Sequence, residues 1–198
     1  MRKNLKIEIQ TKASELFNQK GYKNTTMRDI ASALNISLGN LTYHYHKKED
    51  LMMQLLAAPE FIHNAPASTF HDFFQLLDQM LSCLMINQFF YTDDELGRVT
   101  EEFYRHNVDT VNAIEQHLSL SLQNLSQNDY LNPWTSNDER NAYAKMIMDS
   151  FLVWIKNSFY RIPQDQLSKT QMLTLVAHLL ESHVSKEQKE AYKKNHLK

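Results

Sequence analysis

Glycine and proline are nearly absent from this chain: three glycines and four prolines stand among 198 residues. Each is costly inside a helix, about 1 kcal/mol for glycine and about 3 kcal/mol for proline relative to alanine. A chain with so few breakers is free to run as long helices. Two of the glycines, Gly21 and Gly39, fall within the first 40 residues, so breakers are scarcest further on. With 42% hydrophobic and 22% charged residues the chain has the composition of a packed protein and not a disordered one. An all-α fold is expected, with one sizeable core or two modest ones.

The amino-terminal quarter is divided into short pieces. A first helix is predicted from Lys3 to Lys20, with Leu5, Ile9, Ala13, Leu16 and Phe17 on one face and Gly21 stopping it. Thr26 is placed as N-cap of a second helix, Met27 to Leu34, and Asp29 three residues on completes a capping box. Its buried face is Ile30, Ala31 and Leu34. Asn35 and Ile36 make a turn, Ser37 caps a third helix from Leu38 to about Tyr45, and Ile36 and Leu41 plug the core between the two. That leaves Leu38, Asn40, Thr42, Tyr43 and His44 facing outwards. Two short helices joined by a tight polar turn, the second exposing polar and aromatic side chains, form a helix-turn-helix pattern. Charge supports this reading: residues 1–51 carry nine Lys/Arg and five Asp/Glu, whereas residues 52–198 carry twelve and eighteen. A basic head on an acidic body suits phosphate binding by the head.

A fourth helix is expected from near Lys47 to the neighbourhood of Pro59, followed by a loop to Ser68. Thr69 and Asp72 then offer a capping pair for a helix with Phe70, Phe73, Phe74, Leu77, Leu81 and Leu84 on its apolar face. Thr92 with Glu95 would open a further helix through Leu96, Val99 and Phe103, and a separate one would run from about Val108 to Leu125. The last two helices run from the Ser136/Glu139 capping box to about Tyr160, and from Pro163 or the Ser168/Gln171 pair through Met172, Val176, Leu179 and Leu180. Both carry apolar residues on more than one face, among them Met146, Trp154 and Ile155. A second copy of the chain would cover such faces in a two-fold four-helix bundle. The polar tail from Ser185 is expected to fray.

Other chemistry finds little support. No apolar run of about 18 residues or secretory leader is present, so a cytoplasmic protein with no membrane segment is expected. Cys83 lies in a helical pattern, where packing is its expected role. His44 and His46 point to different sides of a helix, His178 and His183 are five apart, and Glu102, His106 and Asp109 share a face that reads as solvated surface. Neither a nucleophile–base pair nor a glycine-rich phosphate loop is found. No enzyme, cofactor or metal is expected.

The first 51 residues resemble the DNA-binding domain of the TetR family of bacterial transcription regulators. The resemblance is carried by Ala13, Leu16 and Phe17 before Gly21, Thr25 and Thr26 before Asp29, Ile30 and Ala31, and then Ile36, Ser37, Gly39, Leu41, Tyr45, Lys48, Glu49 and Leu51. In one departure, the family commonly has tyrosine directly after the position of Leu41, where this chain has Thr42 followed by Tyr43. The resemblance implies a helix-turn-helix DNA-binding domain over residues 1–48 and a larger helical effector-binding and dimerisation domain over residues 49–198. It implies that Thr26, Met27 and Arg28 set the second helix against phosphates. Ser37, Leu38, Asn40, Thr42, Tyr43 and His44 would enter or border the major groove, and Gly39 would permit close approach. Asn40 suits adenine, Leu38 a thymine methyl, and Thr42, Tyr43 and Lys48 the backbone.

The resulting expectation is a homodimeric repressor. It would bind a palindromic double-stranded operator, pair through its last two helices and be released by a small-molecule effector. Phe103, Phe151 and Trp154 are candidates for an apolar or aromatic effector pocket. The alternative is a dimeric helical protein-interaction module without specific DNA binding.

Overall fold

The computed structural model describes residues 2–57, 59–92, 96, 101–161 and 168–197. These residues form helices and connecting turns; among them β-structure is limited to one isolated antiparallel bridge, Leu131 to Val184. The expectations resting on Glu95, Val99 and Pro163, and on the side chain of Glu102, lie outside the described residues. No described helix is long and apolar enough to cross a membrane.

The chain divides into two compact units, the first built from residues up to Ala57 together with Met85–Thr110. Helix α1 (Arg2–Lys20) buries Ile9, Ala13, Leu16 and Phe17 and ends at Gly21. Gly21 takes φ +82, a conformation that glycine adopts without a Cβ clash, and its amide donates to the Phe17 carbonyl at 2.9 Å. Helices α2 (Met27–Ala33), α3 (Leu38–His44) and α4 (Lys48–Leu55) follow. Ile30, Ala31, Leu41, Tyr45, Leu51 and Met52 close the core they share with α1, and Leu34 and Ile36 are half-buried at its margin.

The same unit takes in α6 (Gln88–Thr92), a short helix without a counterpart in the sequence reading. Thr92 is the last residue of this helix, and its hydroxyl donates to the Gln88 carbonyl at 3.0 Å; the helix start expected at Thr92 and Glu95 falls outside the described residues. The segment between α5 and α6 is fastened to α1 and α4 by polar side chains. Ser14 and Asn18 both donate to the Ile86 carbonyl, Asn18 accepts from the Phe89 amide at 2.9 Å, and Asn87 donates to the Leu55 carbonyl at 2.9 Å. Asn18 thus uses both ends of its carboxamide.

The second unit comprises Ala58–Leu84 and Val111–Lys198. Its first ordered piece is a 3-10 turn, Glu60–His63, within the stretch expected to be loop. Helix α5 (Phe70–Ile86) opens with the expected pair, the Asp72 amide donating to the Thr69 hydroxyl at 3.2 Å, and buries Phe70, Phe73, Leu77, Leu81 and Leu84. Helix α7 (Glu101–Gln127) is continuous where two helices were expected. No glycine or proline lies between Phe103 and Val108, so nothing breaks the run there.

Helix α8 (Asn137–Arg161) starts as expected at Ser136, whose hydroxyl accepts from the Glu139 amide at 3.1 Å. The Glu139 carboxylate reaches one residue further back than a capping box would place it, accepting from the Thr135 amide at 2.7 Å. Helix α9 (Lys169–Leu180) is capped by Ser168. Beyond it the tail does not fray: it forms α10 (Lys189–His196), whose Tyr192 is 1% exposed and donates to the Ala177 carbonyl at 2.8 Å. Phe70, Phe74, Tyr192 and His196 stack around this anchor, and aromatic burial outweighs the polar composition of the segment. Cys83 is half-buried, and burial pushes its thiol pKa up.

Candidate nucleic-acid interface

The chemistry of α2 and α3 begins with their caps. Thr26, in extended conformation, accepts from the Asp29 amide at 3.2 Å while the Asp29 carboxylate accepts from the Thr26 amide at 2.7 Å and from its hydroxyl at 2.6 Å. These bonds hold the Asp29 carboxyl below its ordinary pKa, with the Thr26 side chain as the leading cause. The box fixes where α2 begins, leaving Thr26 and Arg28 exposed and Met27 half-buried at that end.

The turn into α3 depends on Asn35, which adopts φ 54, a left-handed conformation that asparagine tolerates better than most residues. The Ile36 amide then reaches back to the Ala31 carbonyl at 3.0 Å, and Ser37 accepts from the Asn40 amide at 3.1 Å. With Leu41 fully buried as the inward anchor, the opposite face of α3 is turned out. Tyr43 is 69% and Leu38 36% exposed. Ser37, Gly39 and Asn40 are exposed as well, and Thr42 and His44 are half-buried. The Thr42 hydroxyl is turned back to the Gly39 carbonyl at 3.2 Å, and the Tyr43 and His44 rings meet edge to face with centroids 5.3 Å apart.

Ten of the eleven residues expected to touch DNA therefore lie on the start of α2 or along α3. Lys48 is placed differently. Its ammonium donates to the Tyr22 carbonyl at 2.7 Å and the Thr25 carbonyl at 2.9 Å, and stands 4.1 Å from the centre of the Tyr22 ring. Burial lowers its pKa from the ordinary lysine value. The sequence also gave no sign of Gln10, which donates to the Tyr45 hydroxyl at 2.7 Å and so holds the residue that ends α3 against α1. The spacing of an amphipathic helix reports which residues face inwards, not which polar group they meet.

Phe103 belongs to the core of the first unit and Phe151 to the second, and both are buried. Cavities open among the described residues of the second unit. One of about 220 Å³ lies beside Phe61, Ala67, Leu76 and the buried His117. A larger one of about 440 Å³ lies between α7 and α8.

A capped helix-turn-helix with a polar, outward-facing second helix is the arrangement by which such modules present side chains to a major groove. The sequence model described as bacterial regulatory proteins, tetR family, matches residues 9–55. The match covers the helix-turn-helix segment, and over it the chain is similar to that family. Among relatives, QacR, an HTH-type transcriptional regulator of Staphylococcus aureus, is 34% identical over 101 residues, which are 51% of this chain and 49% of QacR. IcaR of Staphylococcus epidermidis, a negative transcriptional regulator of the biofilm operon icaADBC, is 43% identical over 47 residues, 24% of this chain and 25% of that protein. The matches thus span about half or less of these relatives' length. Among solved structures, a TetR-family regulator from Marinobacter aquaeolei shares the fold with a TM-score of 0.75 at 22% identity, covering 94% of each chain. SmeT in its triclosan complex aligns with a TM-score of 0.58 at 14% identity, covering 91% of this chain and 92% of SmeT.

Proposed function

We propose that this protein is a homodimeric transcriptional repressor that binds a palindromic operator and is released by a small molecule. The observation that carries the reading is the exposed face of α3, held outwards by the Ser37 cap and the buried Leu41 within the segment that matches the family. Asn40 has the two-sided hydrogen-bonding capacity to read adenine, Leu38 suits a thymine methyl, and Tyr43 reaches the backbone. Thr26, Met27 and Arg28 bring the start of α2 to a phosphate, with Ser37, Gly39, Thr42 and His44 bordering the groove. Here residues 1–48 serve as the reading head and residues 49–198 as the effector-binding and dimerisation domain.

Pairing through α8 and α9 is supported by exposed apolar side chains on both: Met146 and Val153, seven residues apart on one face of α8, and Leu175 on α9. Release by a ligand is supported by the names of relatives, repression in IcaR and a triclosan complex in SmeT. In a dimer whose two heads must sit about 34–36 Å apart in successive major grooves, a ligand that favours another spacing weakens both contacts at once. Selection of bound sequences from a random DNA pool tests the reading. The expected product is an inverted repeat whose binding falls steeply with salt; recovery of no enriched sequence would overturn it.

A further inference from the structure

The 440 Å³ cavity of the second unit is lined from α7 by Asn112, Glu115, Gln116, Ser119 and Leu120, and from α8 by Arg140 and Asn141. The α7 residues follow the spacing of a single helix face, and four of the five are polar. This composition differs from an apolar effector pocket, and its hydrogen bonds give it polarity along its length. The buried Ser119 hydroxyl accepts from Arg140 Nε at 2.9 Å and donates to Asn141 Oδ1 at 2.6 Å. One serine therefore takes up the side donor of the guanidinium and the acceptor of the carboxamide. What Arg140 and Asn141 retain at this end is mainly donor: two Nη groups and one Nδ2 amide, against one remaining lone pair on Oδ1. A carboxylate is the small group that satisfies such a fork bidentately.

One turn of α7 away stands Glu115, an acceptor-only side chain at neutral pH. Lys145, an exposed residue, pairs with it at 3.8 Å and with Asp149 at 3.3 Å, so a ligand ammonium would share Glu115 with a lysine that has a second carboxylate to hold it. Asn112 and Gln116 flank Glu115 with groups that serve as donor or acceptor. The cavity thus offers donors around Ser119 and a carboxylate at Glu115, two positions of α7 that lie about 5–6 Å apart in helix rise.

We propose that this cleft is a binding site for a small zwitterion, with its carboxylate on Arg140 and Asn141 and its ammonium on Glu115. Ser119 is the positioning residue: it touches no ligand but fixes the direction of both donors. The site stands apart from DNA recognition, so its test needs no operator.

The experiment is isothermal titration of the full-length protein with 5-aminovalerate, whose two charges are separated by about one helical turn, against valerate and pentylamine, each lacking one charge. Saturable binding of 5-aminovalerate is expected, at least tenfold tighter than of either control. Arg140→Gln should abolish it with the helical circular dichroism unchanged, and Ser119→Ala should weaken it while Ser119→Thr restores it in part. No saturable binding of 5-aminovalerate, or equal binding by a well-folded Arg140→Gln protein, overturns the site. Valerate binding as tightly as 5-aminovalerate overturns the role of Glu115 and with it the zwitterion.

Discussion

The Lys48 ammonium sits 4.1 Å from the centre of the Tyr22 ring and donates to the Tyr22 carbonyl at 2.7 Å. With the Thr25 carbonyl as a further acceptor, the first residue of α4 is tied to the segment linking α1 and α2. The lysine thus acts as a clamp within the head.

Lys48→Met keeps the stem but removes the charge, leaving two carbonyls without their charge-assisted donor. A loss of about 2 kcal/mol in stability is expected from bonds of this type, measured by chemical denaturation. Operator affinity should fall because the head is less well held, while the slope of log affinity against log salt stays as it was. Arg28→Ala is the contrasting variant: exposed and free of the core, it should leave stability unchanged and flatten that slope by about one. A flatter slope in Lys48→Met would return Lys48 to the phosphate contacts.

Asn40→Ala separates reading from folding. The bond Asn40 contributes to the α3 cap comes from its backbone amide, which alanine keeps. Unchanged thermal stability is expected together with a loss of about 1–3 kcal/mol in binding to the selected operator and relaxed choice at one base position. Tyr43→Ala, at a still more exposed residue, should weaken binding to all sequences alike. Equal operator affinity in both variants would remove α3 from the interface.

Asn35 sets the angle at which α3 leaves α2, through its φ of 54. Asn35→Gly should be near neutral. Asn35→Val forces a β-branched residue into the left-handed region and should cost about 1–2 kcal/mol, with operator binding lost in parallel. A fully stable valine variant would show that the turn accepts another geometry.

How much of this was written in the sequence follows from the range of each interaction. The caps of α2 and α3 were legible because Thr26 and Asp29, or Ser37 and the Asn40 amide, lie three residues apart. The outward face of α3 followed from the same local spacing. What could not be read were bonds joining distant segments. Ser14 meets the Ile86 carbonyl 72 residues away, and that contact, with Asn18 and Asn87, draws α6 into the unit of the head. The docking of α10 was hidden for the same reason, since a lysine-rich tail gives no local hint that Tyr192 and His196 will stack on Phe74. Lys48 looked like a phosphate ligand because its type and place fit one, and only the Tyr22 and Thr25 carbonyls show the competing use.

Dimerisation through α8 and α9 has variants of opposite expected outcome. Val176 lies on α9 but is 1% exposed, so Val176→Asp would bury an unpaired carboxylate and should unfold the second unit. Val153 and Leu175, at 58% and 53% exposed, are the side chains to charge. Val153→Asp and Leu175→Asp should keep the helical spectrum and shift sedimentation from dimer to monomer, with operator affinity falling as the avidity of two heads is lost. A wild-type monomer, or dimers unaffected by both changes, would remove these helices from the interface.

His196 gives the tail a pH dependence of definite sign. Its ring stacks on Phe74 with centroids 4.1 Å apart and planes 13° from parallel, and burial holds its pKa below the ordinary histidine value of 6.5. Folding therefore favours the neutral ring. The stability this contributes is fully present above the unfolded pKa and is lost as pH falls through 6.5 towards the lower folded value. His117 is pushed in the same direction by burial, so it adds to the same acid loss. His196→Phe preserves an aromatic partner for Phe74 but cannot charge. It should reduce, without abolishing, the fall in denaturation midpoint between pH 7.5 and pH 5.5, and hydrogen exchange should show α10 opening first in the parent protein. An unchanged pH dependence in His196→Phe would mean that the tail stays docked with its histidine protonated.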